Sequence, residues 1–457
     1  MAIIRTDNVE TRWQSQHYNK ARGGDHMSGN HDKRPSQSKF GMFLKGSAAL
    51  GALASITSPL MAQNGPAFVP VENRPRPEYQ SRPITVGAFE ISPTIDSQVE
   101  YIDNLFPAAS NEVEDVIVRV TPSLNIRDRR EDRQIQLRIR GGYETFLNGN
   151  IDDRLLLNAG GTARFRIGSP TRPFLAFNVS RNDTRGRDFA NFEETVQPIT
   201  VTAYRATAGF DQDVNNFTVT AEGTYSGASY DGEIAILGDV FDSNIRDFEQ
   251  YGARARVAYT RDRTQTFYVE GQFNEFDFVA PGSSPNLPPN FTIDRSSTES
   301  RLSAGVTRNL TEILQLDVSL GYLRQDFKDP ALDNVSTYSV NGRLLWNPTR
   351  LTSVEARARR TVDTSADPLF AGLLRTEGAF VVQHELRRNI VVGVEGQVAS
   401  IELIDANDTG SEISFGAMLR YFASRRISVR LRAETFDRTG LFPGGQNRVT
   451  VATQLNF

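Results

Sequence analysis

The sequence of 457 residues contains no cysteine, and it has only four histidines and two tryptophans. The lack of cysteine excludes a disulfide framework and any zinc site built on thiolates. No stretch approaches the roughly 18 consecutive apolar residues that a transmembrane helix requires. The formal net charge of −4 argues against a general nucleic-acid binder, so no nucleic-acid partner is expected. The chain is therefore neither a helical membrane protein nor a small disulfide-stabilised domain.

Residues that carry catalysis are also scarce. His384 is the only histidine after residue 62, and it lies in AFVVQHELRR on the same parity as the apolar residues Phe380 and Val382. A Ser–His–Asp arrangement could use only this histidine. Glycine-rich phosphate-binding motifs are absent as well. The sequence therefore predicts that the protein is not an enzyme and that it has no cofactor and no metal site.

The N-terminal region has the features of a processing segment. Basic residues between Lys33 and Lys45 precede the apolar run SAALGALASI at 47–56, and small residues follow it up to Ala62. This order is typical of a secretory signal with cleavage after Ala62. Because the first 26 residues are polar, Met27 is an alternative start. We predict a signal peptide with an upstream extension at 1–62, a proline-rich periplasmic segment at 63–88 that serves as a tether or docking strand, and a barrel at 89–457.

A strict period of two dominates the rest of the chain. In QIQLRIRGGY (134–143), apolar residues alternate with glutamines and arginines, and LQLDVSLGY (314–322) divides in the same way. Such alternation is the signature of β-strands with one apolar and one polar face. About eighteen segments of this kind follow one another, from 89–102 to 446–457. Their length suits the 9–11 tilted residues that cross a bilayer better than it suits globular strands.

The connections between these segments also alternate in length. Tight turns such as QDVN and NPT are followed by longer loops, for example 183–197 and 228–246. Outer-membrane barrels have short periplasmic turns and longer external loops. A soluble β-sandwich or β-solenoid is the competing architecture, but the sequence shows no break in composition and no repeat of fixed length. We therefore predict an all-β protein, a transmembrane antiparallel up-and-down β-barrel of about 18 strands (16 possible) in the bacterial outer membrane.

In such a barrel the polar residues at alternate strand positions line the lumen, and here these residues include many arginines. The predicted pore-lining residues are Arg119, Arg138, Arg140, Arg164, Arg166, Arg254, Arg256, Arg343, Arg357, Arg359, Arg430 and Arg432. Acidic residues share this parity, so one interpretation is an internal network in which the charges neutralise one another. The other interpretation is a positively charged lining that favours anionic solutes or polymers, because guanidinium binds carboxylate and phosphate in a forked geometry.

Aromatic residues near the predicted strand ends should contact the lipid interface, among them Trp346, Tyr421 and Phe422. The last strand carries Val449, Val451, Leu455 and Phe457 on its lipid face. A terminal strand that ends in phenylalanine resembles the assembly signal recognised by the barrel-assembly machinery. We expect this strand to pair with the first one, so deletion of Phe457 should impair assembly more than conduction.

Two stretches near the start of the barrel carry a family resemblance. VEYIDNLF (99–106) and EDVIVRVTPSLNIR (114–127) resemble the first two strands of the putative beta-barrel porin 2 family. The resemblance implies a relationship to EpsL-like outer-membrane proteins, which are associated with exopolysaccharide biosynthesis. It therefore implies secretion of a polysaccharide, with polysaccharide-export proteins as possible partners, and it transfers no catalytic residues. The arginine-rich lumen adds the expectation that this polysaccharide is anionic.

Three functions remain open at this point: a channel for exopolysaccharide export, a general diffusion or uptake porin, and a structural or surface-binding barrel with a plugged lumen. Conductance and ion selectivity in a planar bilayer would separate them, since a plugged barrel does not conduct.

Overall fold

A computed structural model describes residues 68–107, 112–130, 132–149, 151–166, 170–184, 199–236, 239–262, 264–279, 292–363, 372–404, 408–440 and 443–457. The predicted signal segment at 1–62 lies outside these residues. No helix within the described ranges is long and apolar enough to cross a membrane.

The described chain consists almost entirely of β-strands. In chain order they are β1 Ile84–Val86, β2 Phe89–Ile102, β3 Asp115–Asp128, β4 Arg133–Phe146, β5 Arg154–Phe165, β6 Thr171–Thr184, β7 Ile199–Val214, β8 Phe217–Asp231, β9 Glu233–Ile236, β10 Asp239–Asp242, β11 Phe248–Asp262, β12 Gln265–Phe278, β13 Ser297–Thr311, β14 Leu314–Phe327, β15 Val335–Thr349, β16 Thr352–Asp363, β17 Leu373–Arg387, β18 Ile390–Leu403, β19 Thr409–Phe422, β20 Ile427–Gly440 and β21 Gly444–Asn456. Short 3-10 turns occur at Val71–Asn73 and Ser243–Arg246.

Eighteen of these strands form one closed sheet. Each strand from β2 to β8 and from β11 to β21 pairs antiparallel with its neighbours in the sequence, with β8 joined to β11. The last strand returns to the first, with the register running from Thr94↔Asn456 to Ile102↔Arg448. This ladder confirms the predicted 18-strand antiparallel barrel. It also leaves no free edge, whose backbone N–H and C=O groups would find no hydrogen-bond partner in lipid.

The period of two in the sequence becomes two different faces of the wall. In β14, Leu320 is 63% exposed whereas Gln315 is 2% exposed. Polar side chains two strands apart meet on the polar face: Arg164 of β5 lies 2.9 Å from Asp211 of β7, and Tyr268 of β12 donates to Asp317 of β14 at 3.1 Å. A curved sheet brings alternate strands together on its concave side. The polar parity therefore faces the lumen, and the exposed apolar parity faces lipid.

Three strands of the structure were not expected from the sequence. β1 forms a hairpin with the start of β2 through Gly87, whose φ of +58° favours glycine. β9 and β10 form a second hairpin inside the stretch 228–246, which the sequence had indicated as a loop. All three are short, so their alternation is too brief to separate from a loop in the sequence.

Apolar clusters line the inside of the barrel at its long-loop end. One contains Ile102, Leu105, Ile117, Phe146 and Ile151. Another joins Ile199, Val201, Tyr230 and Phe248 to Ile245 of the 3-10 turn after β10. At this end the strand residues that face the lumen are apolar, because residues of the long connections pack against them. The polar lumen therefore lies between these clusters and the short-turn end, which faces the periplasm.

Candidate functional site in the barrel lumen

All twelve arginines predicted to line the pore lie on the luminal parity. Eleven of them occupy the same face of a strand as residues that form ion pairs or buried polar contacts, and Arg166 continues the alternation of β5 one residue beyond its end. The structure divides them into two groups, according to whether a carboxylate lies within reach. This division decides what each arginine can do chemically, and their role in conduction stays a prediction.

The first group is held by carboxylates on the same strand, on an adjacent strand or two strands away. Arg254 donates to both oxygens of Glu222 at 2.8 and 2.9 Å and to Glu270 at 2.9 Å. Arg343 and Arg357 share Glu355 at 2.9 and 2.6 Å. The remaining pairs are Arg119–Glu144, Arg164–Asp211, Arg256–Glu270, Arg432–Glu395 and Arg432–Glu434. The charges of these guanidinium groups are already neutralised, so they brace the wall as the neutralising interpretation predicts.

The second group makes no ion pair or hydrogen bond to a side chain in the part of the chain that the structure describes. Its members are Arg138, Arg140, Arg166, Arg359 and Arg430. Arg138 and Arg140 follow each other on the luminal face of β4, and both are exposed. A guanidinium that is exposed and without a carboxylate keeps its donors available for a solute. The two β4 arginines are therefore the strongest candidates for anion binding.

The neighbours of these two arginines explain why they are free. In the sheet register, Arg138 lies between Asn125 of β3 and Gly160 of β5, and Arg140 lies between Ser123 and Asn158. None of these residues can neutralise a guanidinium. A Cβ at position 160 would lie 2.9 Å from Asn178 Oδ1, so glycine makes room for a further neutral amide on this part of the wall. This part of the wall presents amides, hydroxyls and cations, which are the groups that hydrogen-bond to carbohydrate hydroxyls and carboxylates.

A segment that precedes the barrel lies inside its periplasmic mouth. We call residues 69–79 the rim segment. The backbone amide of Val71 donates to Ser353 Oγ at 2.9 Å, and the amide of Glu72 donates to Gln383 Oε1 at 3.0 Å. Both acceptors are luminal residues at the periplasmic ends of β16 and β17. Val71 is fully buried by this contact.

Arg76 holds the rim segment together and fixes it to the wall. Its guanidinium lies 3.0 Å from Glu385 and donates to the carbonyl oxygen of Val71 at 2.8 Å. Arg76 is only 2% exposed, and its guanidinium lies 5.2 Å from the centre of the Phe422 ring. The expectation that Phe422 contacts the lipid interface is therefore wrong, because Phe422 lies on the luminal parity beneath this segment. Whether residues 63–88 act as a tether stays a prediction.

The rim segment also carries two carboxylates that bind arginines of the mouth. Glu72 lies 3.3 Å from Arg420, and Glu78 lies 3.5 Å from Arg388. A hydrogen bond from its own backbone amide, followed by the charge of Arg388, holds the pKa of Glu78 below its ordinary value. Glu72, Arg76 and Glu385 were missed as functional residues, because their partners are about 310 to 350 positions away in the sequence.

Aromatic residues on the outer face form two levels. Tyr338 and Trp346 are eight positions apart on β15, and the same spacing separates Tyr225 from Phe217 on β8. Eight strand residues span roughly 26 Å, or about 20 Å after the tilt of a barrel strand, close to the height of the apolar band. Trp346 and Tyr421 are both exposed beside short turns, at the periplasmic level. Their interfacial role stays a prediction.

The C-terminal strand has its four predicted assembly residues on the outer face. Val449, Val451, Leu455 and Phe457 are all exposed there. The backbone of Phe457 donates to the carbonyl oxygen of Pro93 at 3.1 Å, so the last residue still belongs to the seam with β2. Recognition by the assembly machinery stays a prediction.

Solved structures similar to this one are outer-membrane proteins. A mutant of the ferric enterobactin receptor PfeA from Pseudomonas aeruginosa is 10% identical, with a TM-score of 0.44 and coverage of 80% of each chain. The siderophore receptor PirA from Pseudomonas aeruginosa is 10% identical, with a TM-score of 0.42 and coverage of 82% of this chain and 81% of the receptor. The outer membrane protein opdK from Pseudomonas aeruginosa is 12% identical, with a TM-score of 0.42 and coverage of 80% and 99%. No curated protein matches the sequence.

The family comparison covers most of the chain. Residues 76–453 match the model of the family described as putative beta-barrel porin 2. This range begins in the rim segment, includes seventeen of the eighteen barrel strands and ends within the last strand, β21. The match extends the resemblance of 99–106 and 114–127 over the whole wall. The chain therefore belongs to the putative beta-barrel porin 2 family and is a porin-type β-barrel of the bacterial outer membrane.

Proposed function

We propose that this barrel is a channel through which an anionic exopolysaccharide crosses the outer membrane. The observation that carries the proposal is the exposed pair Arg138 and Arg140, which have no carboxylate partner among the described residues. Cations that no internal acid neutralises attract anionic solutes into a narrow lumen. The EpsL-like resemblance supports a polymer of sugar acids as the anion.

The surroundings of the two arginines favour passage of a carbohydrate over tight binding. Asn125, Gln136, Asn158 and Ser123 offer neutral hydrogen-bonding groups around them, and Gln136 already donates to Asn125 at 3.2 Å. A polymer can exchange such contacts one at a time as it moves. Conduction requires sites strong enough to admit the solute and weak enough to release it.

Reconstitution in a planar bilayer tests the proposal. We expect a preference for anions and a concentration-dependent block of the ion current by oligogalacturonate, a sugar-acid polymer. Neutral dextran oligosaccharides of the same length are the matched control and should block far less. A cation-selective pore, or equal block by both polymers, would contradict the proposal and favour a general diffusion porin.

The export half of the proposal needs a cellular measurement. Deletion of the gene should lower the amount of polysaccharide released into the medium and leave it trapped in the periplasm. Restoration by the wild-type chain, but not by the Arg138→Ala/Arg140→Ala variant, would tie export to the two luminal arginines. If the deletion strain releases a normal amount of polysaccharide, the proposed role in export is wrong.

A further inference from the structure

We propose that the rim segment is a gate at the periplasmic entrance, and that an anionic polymer opens it by competing for the arginines that hold it. The gate itself depends only on conduction, whereas its opening by a polyanion rests on the proposed function. Three features carry this inference: the place of the segment, the kind of contacts that hold it, and the chemistry of its own carboxylates.

The rim segment occupies part of the luminal mouth. Its contacts run along the periplasmic ends of the strands from Asn347 on β15, through Ser353 and Glu385, to Arg420 on β19. All four are luminal residues, so the segment covers an arc of the inner wall of about five strands. A solute that enters from the periplasm passes this arc before it reaches Arg138 and Arg140.

The contacts of the rim segment can be released without opening the barrel. Pro70, Pro75 and Pro77 have no backbone N–H group, so the segment cannot join the sheet as a strand. The amides of Val71 and Glu72 donate to side chains and not to strand carbonyls. The ladder between β16 and β17 is complete beneath it, from Thr352↔His384 to Asp363↔Leu373. Undocking therefore exposes no unpaired strand edge.

The segment is held by the same chemistry that would recognise the polymer. The carboxylate of Glu72 binds Arg420, and that of Glu78 binds Arg388. Arg425 also donates to the carbonyl oxygen of Glu78 at 3.3 Å. A sugar acid presents carboxylates on a flexible chain, as the segment does. A polyanion in the periplasm can therefore replace Glu72 and Glu78 at these arginines, and the buried pair Arg76–Glu385 then separates into water at little net cost.

The first experiment releases the segment. Arg76→Ala removes the guanidinium that joins Glu385 to the backbone of the segment, and we expect the mean single-channel conductance to rise by about twofold or more. Arg129→Ala is the matched control, since Arg129 pairs with Glu90 on the same rim at 3.6 Å. Both variants should fold, as heat-modified migration on gels can verify. Equal conductance of Arg76→Ala and the wild type would overturn the gate.

The second experiment locks the segment with a disulfide. The chain has no native cysteine, so no other thiol can react. In Val71→Cys/Ser353→Cys the two positions are in contact, because the Val71 amide lies 2.9 Å from Ser353 Oγ, and migration on non-reducing gels verifies that the disulfide has formed. Oxidation should hold the channel in its low-conductance state, and reduction should restore the wild-type fluctuations. Each single cysteine variant is a control that should not respond. A locked channel that conducts as much as the reduced one would overturn the gate.

The third experiment asks what opens the gate, with a readout that does not depend on conduction. In the Val71→Cys variant the thiol is buried, so a maleimide should label it slowly. Oligogalacturonate should raise the labelling rate several-fold, and neutral dextran should not. An unchanged rate, in a protein whose ion current oligogalacturonate does block, would overturn displacement by polyanion and leave the proposed function intact.

Discussion

Two stretches of the lumen share one sequence pattern but differ in chemistry. Arg138-Ile139-Arg140 on β4 and Arg254-Ala255-Arg256 on β11 both place two arginines on the luminal face around an outward apolar residue. The β11 pair meets Glu222 on one side and Glu270 on the other. The β4 pair meets only amides, a hydroxyl and a glycine. The same residues thus brace the wall in one place and remain available to a solute in the other.

The difference lies in the neighbours and not in the arginines. Register places Arg254 opposite Glu222 and Arg256 opposite Glu270, so both cations are neutralised by the strands on either side. A charge in a narrow lumen is either paired or hydrated. Paired arginines should therefore matter for stability and unpaired ones for selectivity, and this distinction can be tested in order of expected effect.

Arg254→Ala should give the largest change in stability. It leaves Glu222 without its two-pronged partner, while Glu270 keeps Arg256 at 3.7 Å, and we expect the free energy of unfolding to fall by about 2–4 kcal/mol. Urea titration in vesicles can follow it through the fluorescence of Trp346, the only tryptophan after residue 62. In the control Arg254→Met/Glu222→Gln, most of the loss should be recovered, because Glu270 stays paired with Arg256. If Arg254→Ala is as stable as the wild type, the bracing role is wrong.

Arg138→Ala/Arg140→Ala should leave stability within about 0.5 kcal/mol of the wild type, because no partner is orphaned. The anion-over-cation permeability ratio should instead fall several-fold. Reversal potentials in a salt gradient measure this ratio. Arg254→Ala, assayed in the same gradient, provides the comparison. A large loss of stability with unchanged selectivity would reverse the assignment of the two stretches.

Arg138→Lys/Arg140→Lys should have a smaller effect and should separate charge from geometry. The positive charges remain, so the permeability ratio should stay close to that of the wild type. The forked donors are lost, and the concentration of oligogalacturonate that blocks half of the current should rise. If the half-blocking concentration of oligogalacturonate is the same in this variant as in the wild type, the lumen recognises only the charge of the two residues.

Arg357→Ala should have the smallest effect of the series. Arg357 is paired, yet its side chain is 63% exposed, and Glu355 keeps Arg343 at 2.9 Å after the substitution. We expect a loss of about 1 kcal/mol or less in the free energy of unfolding. Arg343→Ala, measured under the same conditions, should cost more because its side chain is less exposed. A larger loss for Arg357→Ala would show that exposure does not govern the contribution of these pairs.

Much of the barrel could be predicted because its information is local. Alternation in LQLDVSLGY defines β14, short connections such as QDVN define the periplasmic turns, and the apolar parity of Val449, Val451 and Leu455 defines the closing strand. Each of these signals is contained within about ten residues. The short strands β1, β9 and β10 lacked enough alternation to be recognised.

The candidate site could be predicted only in part. The luminal parity of all twelve arginines follows from the same alternation, but their pairing does not. Arg164 depends on Asp211 two strands away, and Arg432 depends on Glu395 two strands away in the other direction. Nothing near either arginine in the sequence identifies these partners. Phe422 was misplaced for the same reason, since the segment that covers it lies more than 300 residues earlier.

By itself, the sequence determined the class of fold, an approximate number of barrel strands and the face on which most strand residues lie, because a strand imposes a period of two wherever it forms. Only the tertiary structure decided which luminal arginines are neutralised and that the rim segment lies inside the mouth. Those outcomes depend on which residues the closed sheet places side by side, and register across strands is a property of the whole barrel.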